Sequence, residues 1–308
     1  MCLATLLGMG AIVRASRVDS AALCPPCIIN ALGLCKTHRM CTPLPQPLEL
    51  APPARWRDVA GVLTDIDDTL TFGGAIEPVA LDALRDLRVA GLPVIAVTGR
   101  PMGWSEPFAR DWPIAAIAAE NGAVGLFVEG GQLCCEFTQD EATRARNARR
   151  LQAAAELVQR EVPGARLARD SAGRATDIAI DHSEFARLAP EQIAQVVAVM
   201  RGAGLTATVS SIHVNGWFGA HDKLSGARWL VRRVLGRDLD AECKRWVYVG
   251  DSTNDSAMFG HFELSVGVAN LLDFAGQLTV WPKYITRAQR GAGFAELAQC
   301  VLAARSGS

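Results

Sequence analysis

The apolar positions of this chain fall into short unbroken runs separated by amphipathic stretches. Val59 to Leu63, Leu92 to Val97 and Ile114 to Ala118 are such runs, each bounded by turn-prone residues. Runs of that length read as strands covered on both faces, the pattern of a parallel sheet. Between the first two, Val79, Leu81, Leu84, Leu87 and Val89 give Pro78 to Ala90 a helical spacing, and Gly91 ends it. Residues 59–121 therefore read β-α-β-α-β with right-handed crossovers.

Around Asn121-Gly122 the grammar changes. Ala123 to Val128 and Leu133 to Phe137 flank Glu129-Gly130-Gly131, a hairpin signal. A helix from Glu141 to Glu161, a strand from Thr176 to Asp181, a helix from Pro190 to Arg201 and strands from Leu205 to Ser210 and Ile212 to Phe218 follow. The βα alternation resumes at Asp222. Helices are expected over Asp222 to Leu235, Thr253 to Phe259 and Gly293 to Ala304, and strands over Trp246 to Val249, Leu264 to Val268 and Thr279 to Trp281. The expected fold class is α/β. One doubly wound parallel-sheet core, residues 59–121 and 217–308, is split by an α+β cap, residues 122–216.

Residues 1–58 lack this periodicity. Five prolines between residues 42 and 54 read as a linker, so the segment is expected to be a disordered extension dispensable for catalysis. Cys24-Pro25-Pro26-Cys27, with Cys35, His38 and Cys41, has no second C-x₂-C or H-x₃-H, so zinc is not expected there. Nine cysteines in an α/β pattern fit a reducing cytoplasm rather than a disulfide scaffold. A net charge of −1 and few aromatics argue against nucleic acid or an anionic membrane as partner. Oligomeric state is not legible.

Chemistry-bearing residues gather at the predicted strand ends, where open α/β sheets bind ligands. Thr64-Asp65-Ile66-Asp67-Asp68-Thr69 brings three carboxylates within four residues. Carboxylates so close repel and cost desolvation, which a hard cation such as Mg²⁺ offsets. Asp65 and Asp67, at i and i+2, can face one pocket, one as nucleophile and the other carrying a proton. Thr98, with the following amides from Gly99 on, ends another strand and can hold a phosphoryl oxygen. Lys223 opens a helix, where free N–H groups already favour anions. In Gly250-Asp251-Ser252-Thr253-Asn254-Asp255, the glycine allows the turn, Asp251 can ligate a cation and Ser252 can cap the next helix. Asn254 and Asp255 are placed to support Asp251 from behind.

Asp-x-Asp, Thr, Lys and Gly-Asp-x-x-x-Asp, in this order, resemble the four motifs of the haloacid dehalogenase superfamily over residues 59–308. The insertion between Thr98 and Lys223 resembles that of the type IIB (C2-cap) branch. So do Glu120-Asn121-Gly122-Ala123 and the tail from Tyr284-Ile285-Thr286 to Gly293-Phe294. That branch includes sugar-phosphate phosphatases, phosphoglycolate phosphatases and phosphomannomutases. The resemblance implies a phosphatase of a small phosphate monoester. Asp65 would form an aspartyl-phosphate, and Asp67 would protonate the leaving alcohol and then activate water. Thr98, Gly99 and Lys223 would hold the phosphoryl group. Mg²⁺ would sit on the carboxylates of Asp65 and Asp251 and the carbonyl of Asp67. Asp68 departs from the pattern, since many relatives carry glycine there.

Two other readings share these residues. A phosphomutase would return the phosphoryl group to a sugar. A phospho-acceptor signalling module would carry no acid two residues from the nucleophile and no long insertion before the lysine. For specificity, Ser210 to Trp217 alternates. Ile212, Val214 and Gly216 are expected to face the cap core, and His213, Asn215 and Trp217 to face a sugar. A solvated sheet face competes with that expectation. Arg174 and Asp181, flanking a neighbouring strand, are weaker candidates.

Overall fold

The computed structural model describes residues 44–306. The expectations for the leader's cysteines and for residues 1–43 lie outside the described residues. In chain order the strands are β1 (Gln46–Pro47), β2 (Gly61–Thr64), β3 (Thr71–Phe72), β4 (Ala75–Ile76), β5 (Val94–Val97), β6 (Ala116–Ala119), β7 (Val124–Glu129), β8 (Gln132–Phe137), β9 (Arg166–Leu167), β10 (Asp177–Asp181), β11 (Thr206–Val209), β12 (His213–Trp217), β13 (Trp246–Gly250), β14 (Leu264–Gly267) and β15 (Tyr284–Ile285). The helices are α1 (Pro78–Val89), α2 (Met102–Asp111), α3 (Glu141–Glu161), α4 (Pro190–Gly202), α5 (Lys223–Leu235), α6 (Ser256–His261) and α7 (Arg290–Ser306).

The central sheet runs β1-β15-β14-β13-β2-β5-β6-β7-β8. It is parallel from β1 through β6, and β7 and β8 close it antiparallel. Successive residues of each strand point to opposite faces. Val62, Val94 and Val247 join α1 and α7 in one buried layer, while Leu63, Ile95 and Tyr248 join α5 in the other. Burial on both faces is what made these strands continuous apolar runs. The cap is a four-stranded sheet, β11-β12-β10-β9, antiparallel throughout. Its core is built from Leu151, Val158, Val196, Met200 and Val214, with α3 and α4 covering one face. Among the described residues no helix is long and apolar enough to cross a membrane.

Three expectations change. Residues 44–58 are not a loose linker: β1 pairs in parallel with β15, Leu48 and Trp56 are buried, and the Trp56 ring lies 5.4 Å from that of Tyr284. Of the prolines that suggested a linker, Pro47 lies in that edge strand and Pro53 opens a 3₁₀ turn, where a missing N–H breaks no ladder. The β7–β8 hairpin belongs to the core, because Ile117 pairs with Leu126 and the hairpin extends the central sheet. The cap therefore starts after it. Thr279 to Trp281 forms no strand, and the place beside β14 is taken by β15.

Candidate active site

The carboxyl ends of β2, β5, β13 and β14 converge. Asp65 follows β2 directly, its amide donating to the Val249 carbonyl of β13. Thr98 follows β5 and is buried. Its Oγ1 accepts from the Arg100 amide at 3.0 Å. Lys223 comes from α5, which Asp222 caps by accepting from the Ser225 amide. That helix start lies on the turn after β6 because two glycines meet. A Cβ on Gly122 would come within 2.2 Å of the Asp222 carbonyl oxygen, and Gly122 itself has φ +94°.

Lys223 is buried and donates to Asp65 Oδ1 at 2.5 Å and to Asp255 Oδ1 at 2.7 Å. Burial opposes its charge, but Asp255 and Asp65 raise its pKa above the ordinary lysine value. Asp255 is fully engaged. Its Oδ1 also accepts from the Tyr248 hydroxyl, and its Oδ2 accepts the amides of Asp251 and Ser252. Ser252 stands at the N-cap of the next turn, its amide held by Asp255 Oδ2, but its side chain accepts no amide of that turn and its hydroxyl donates to Asn254 Oδ1 at 2.8 Å. Asn254 thus holds Ser252 and lines the cleft rather than supporting Asp251.

Asp65, Asp251 and Asp255 offer oxygens all within 4.8 Å of one another. One lysine faces three carboxylates, and Asp251 Oδ1 is buried with no hydrogen-bond partner. Burial pushes Asp65 up to about 8, against the pull of Lys223, and pushes Asp251 well above the carboxylate range. This donor set fits a divalent cation, a hard ion that takes carboxylate oxygens and would restore both groups to the ionised form. With Asp255 already satisfied, the oxygens left for it come from Asp65 and Asp251. Asp68 turns elsewhere. Its carboxylate accepts from Arg290 Nε at 3.0 Å, and its φ of 53° is the left-handed conformation that aspartate tolerates better than most residues.

Several residues that sequence reasoning left without a role complete the site. Asn270 donates to the Asp68 carbonyl at 2.9 Å and to Asp251 Oδ2 at 3.4 Å. Arg100, one position past the Thr-Gly turn, is buried and joins core to cap. Its Nε meets both oxygens of Asp67 at 3.0 Å, while its Nη atoms reach Asp170 at 3.2 Å and Glu184 at 2.8 Å. Burial disfavours its charge, but Asp67 and Glu184 hold the guanidinium protonated. Glu120, buried at φ 48°, accepts the Met102, Ala175 and Thr176 amides and fastens cap to core. The signal for Arg100 was its place in Thr98-Gly99-Arg100; Glu120 stood in the Glu120-Asn121-Gly122-Ala123 stretch of the resemblance with no role read from it, and Asn270 gave no signal beyond following a strand.

The cap row divides. His213 and Asn215 are buried and line the cleft with Asp65, Asp67, Thr98, Gly99 and Arg100, so the solvated-face alternative does not hold for them. His213 Nε2 lies 3.0 Å from Glu184, and Asn215 donates to the Gly99 carbonyl at 3.1 Å. Trp217 does not line the cleft. Its indole N–H donates to the His221 carbonyl and its ring stacks on His221, because the chain is already turning back to the core there. Ile212 lies before β12 and lines the cleft instead of the cap core. Asp181 accepts four amides, of Ser183, Glu184, Phe185 and Ala186, and so shapes the loop that carries Glu184.

Residues 62–144 match the family model of the haloacid dehalogenase-like hydrolases. That stretch, 83 of the 308 residues, runs from β2 into α3 and contains Asp65, Asp67 and Thr98. Solved structures share this arrangement of core and cap, one of them described as belonging to haloacid dehalogenase subclass IIB. A sugar phosphatase of that subclass superposes with a TM-score of 0.52 at 15% identity, covering 81% of this chain and 99% of its own. A Thermoplasma acidophilum protein superposes with a TM-score of 0.61 at 16% identity, covering 79% of this chain and 98% of its own. The sucrose-phosphatase of Synechocystis sp. PCC6803, solved with sucrose and phosphate, gives 0.57 at 16%, covering 80% and 98%. No curated protein sequence matches the chain.

Proposed function

We propose that the protein is a Mg²⁺-dependent phosphatase that hydrolyses a small phosphate monoester, a sugar phosphate or related metabolite, in the cytoplasm. The observation that carries this reading is the convergence of Asp65, Thr98 and an Asp251 oxygen that has no partner among the described residues, at adjoining strand ends, with Lys223 from the start of α5. Phosphoryl transfer asks for placement and charge neutralisation. Asp65 attacks phosphorus and the ester oxygen departs, so the phosphoryl group passes to the Asp65 carboxylate. Lys223 balances charge on the phosphoryl oxygens and favours the ionised form of Asp65, which burial opposes and a bound cation would restore. The Thr98 hydroxyl and the turn after it hold a further oxygen. Asp67 gives its proton to the departing oxygen, then takes one from the water that cleaves the acyl phosphate. Asp65, Asp251 and the Asp67 carbonyl would hold a divalent cation, which would supply electrostatic stabilisation of the transferred group.

The departing alcohol must lie beside Asp67. A cavity of about 280 Å³ opens there, lined by Asp67, Arg100, Glu184, Phe72, Phe185 and Ile212. Two aromatic faces with hydrogen-bonding groups suit a ring that carries hydroxyls. The superposed sucrose-phosphatase supports a sugar phosphate as substrate. The mutase reading is weaker, because Arg100 is already engaged by carboxylates, leaving this cavity without a ready second phosphate site.

The test is phosphate release from para-nitrophenyl phosphate and from a panel of phosphorylated sugars and phosphoglycolate. Turnover is expected with Mg²⁺ and no bisphosphate activator, to stop in EDTA, and to return when Mg²⁺ is restored. No release from any ester, or turnover that survives exhaustive chelation, rejects the proposal.

A further inference from the structure

The carbonyl of Gly99 receives two hydrogen bonds from the cap. Arg174 Nη1 donates at 3.0 Å and Asn215 Nδ2 at 3.1 Å, from two segments far apart in sequence. A carbonyl oxygen has two lone pairs, so both are used. The two donors are themselves fixed. Arg174 is held by Asp170 and by Asp177 at 2.8 Å, and Asn215 also donates to Asp177 at 3.2 Å. Arg174, Asp177 and Asn215 are all buried.

We infer that Arg174 and Asn215 are positioning residues that clamp the Thr98-Gly99-Arg100 turn from the cap side, so that the phosphoryl pocket takes its final shape only under a closed cap. The inference rests on reading this turn as the phosphate-binding element. The peptide unit between Gly99 and Arg100 is planar, with its C=O and N–H on opposite sides. The cap holds the C=O. The N–H donates to Thr98 Oγ1 at 3.0 Å. Fixing one end of the plane fixes the other, and with one Thr98 lone pair taken, the hydroxyl proton is directed elsewhere, toward the cleft that Thr98 lines. Glycine at 99 lets the cap come this near. A Cβ there would stand 3.1 Å from Asn215 Oδ1.

The clamp and a sugar-reading role for Asn215 predict different patterns. The measurements are kcat and KM on para-nitrophenyl phosphate and on the best phosphorylated sugar, and the inhibition constant of inorganic phosphate. For Asn215→Ala the clamp predicts phosphate inhibition weakened roughly 3- to 10-fold, the worth of one buried hydrogen bond. It predicts equal losses of kcat/KM on both substrates. A loss confined to the phosphorylated sugar, with phosphate inhibition unchanged, overturns the clamp. So does wild-type behaviour on both. Gly99→Ala removes no donor but pushes against Asn215, and is expected to weaken phosphate in the same way. It carries the test if Asn215→Ala does not fold, and wild-type phosphate affinity in Gly99→Ala then overturns the clamp. If the wild type hydrolyses no ester, the functional reading fails by itself. Calorimetric titration of inorganic phosphate with Mg²⁺ still decides the clamp from the same variants, and a wild type that binds no phosphate overturns it.

Discussion

Two clusters of buried charge meet at the cleft, and they are built on opposite principles. Around Lys223, one cation serves Asp65, Asp251 and Asp255, and an Asp251 oxygen has no partner. Around Arg100 and Arg174, each carboxylate is answered by a guanidinium. Asp67 and Glu184 meet Arg100, Asp177 meets Arg174, and Asp170 meets both. A buried charge without a partner is costly, and such a site persists when something else completes it; under the proposed function that is a cation and a phosphoryl group. A satisfied network instead fixes geometry. The first cluster is thus equipped for chemistry and the second for holding the cap and the Gly99 turn in register.

The largest expected effect lies in the first cluster. Asp65→Asn should fold as the wild type does, judged by circular dichroism and melting, and lose activity by roughly 10⁴-fold or more, since an amide cannot attack phosphorus. Activity within tenfold of wild type would sink the nucleophile assignment and, with it, the contrast between the clusters.

Asp67 belongs to both clusters and should give an intermediate result. Asp67→Asn is expected to slow hydrolysis of alkyl esters by about 10²–10⁴-fold. The loss should shrink with para-nitrophenyl phosphate, whose leaving group needs no proton. Equal losses on the two ester types would leave Asp67 only its pairing with Arg100.

The smallest effect belongs to the second cluster and depends on pH. Burial pushes the Glu184 carboxyl up, but hydrogen bonds from His213 and Arg100 outweigh it and hold the group down to about 2, from an ordinary 4.5. A carboxyl depressed in the folded state contributes stability that is present above pH 4.5 and lost as the pH falls toward 2. The Glu184 side chain is partly exposed, at 20%, so with solvent screening its contribution should not exceed about 1 kcal/mol. Melting curves should show Glu184→Gln a few degrees below wild type at pH 6, with the gap closing as the pH falls through that window. A gap that is constant with pH would mean that the glutamate acts by packing alone.

How much of this was legible in advance follows the range of the forces involved. Periodicity reports the burial of one element at a time, so the βα order and the strand ends at Asp65, Thr98 and Asp251 could be read directly. Lys223, at the start of an amphipathic helix, was legible for the same reason. The piece from Gln46 to Trp56 was missed because a two-residue strand and 3₁₀ turns have no period to detect. Its burial comes from β15 and Tyr284, more than two hundred positions away in the chain. The hairpin signal around Gly130 was right locally, yet nothing local says which sheet a hairpin joins.

The sequence by itself determined the order of the elements and marked the residues that the proposed chemistry uses, since motifs at strand ends are set by spacing. Only the tertiary structure decided their partners. Arg100 finds Asp67, Asp170 and Glu184, Asn215 turns to the Gly99 carbonyl, and Trp217 leaves the cleft for His221. Those choices depend on how cap and core close on each other, and a pairing across the cleft leaves no periodic trace in either segment.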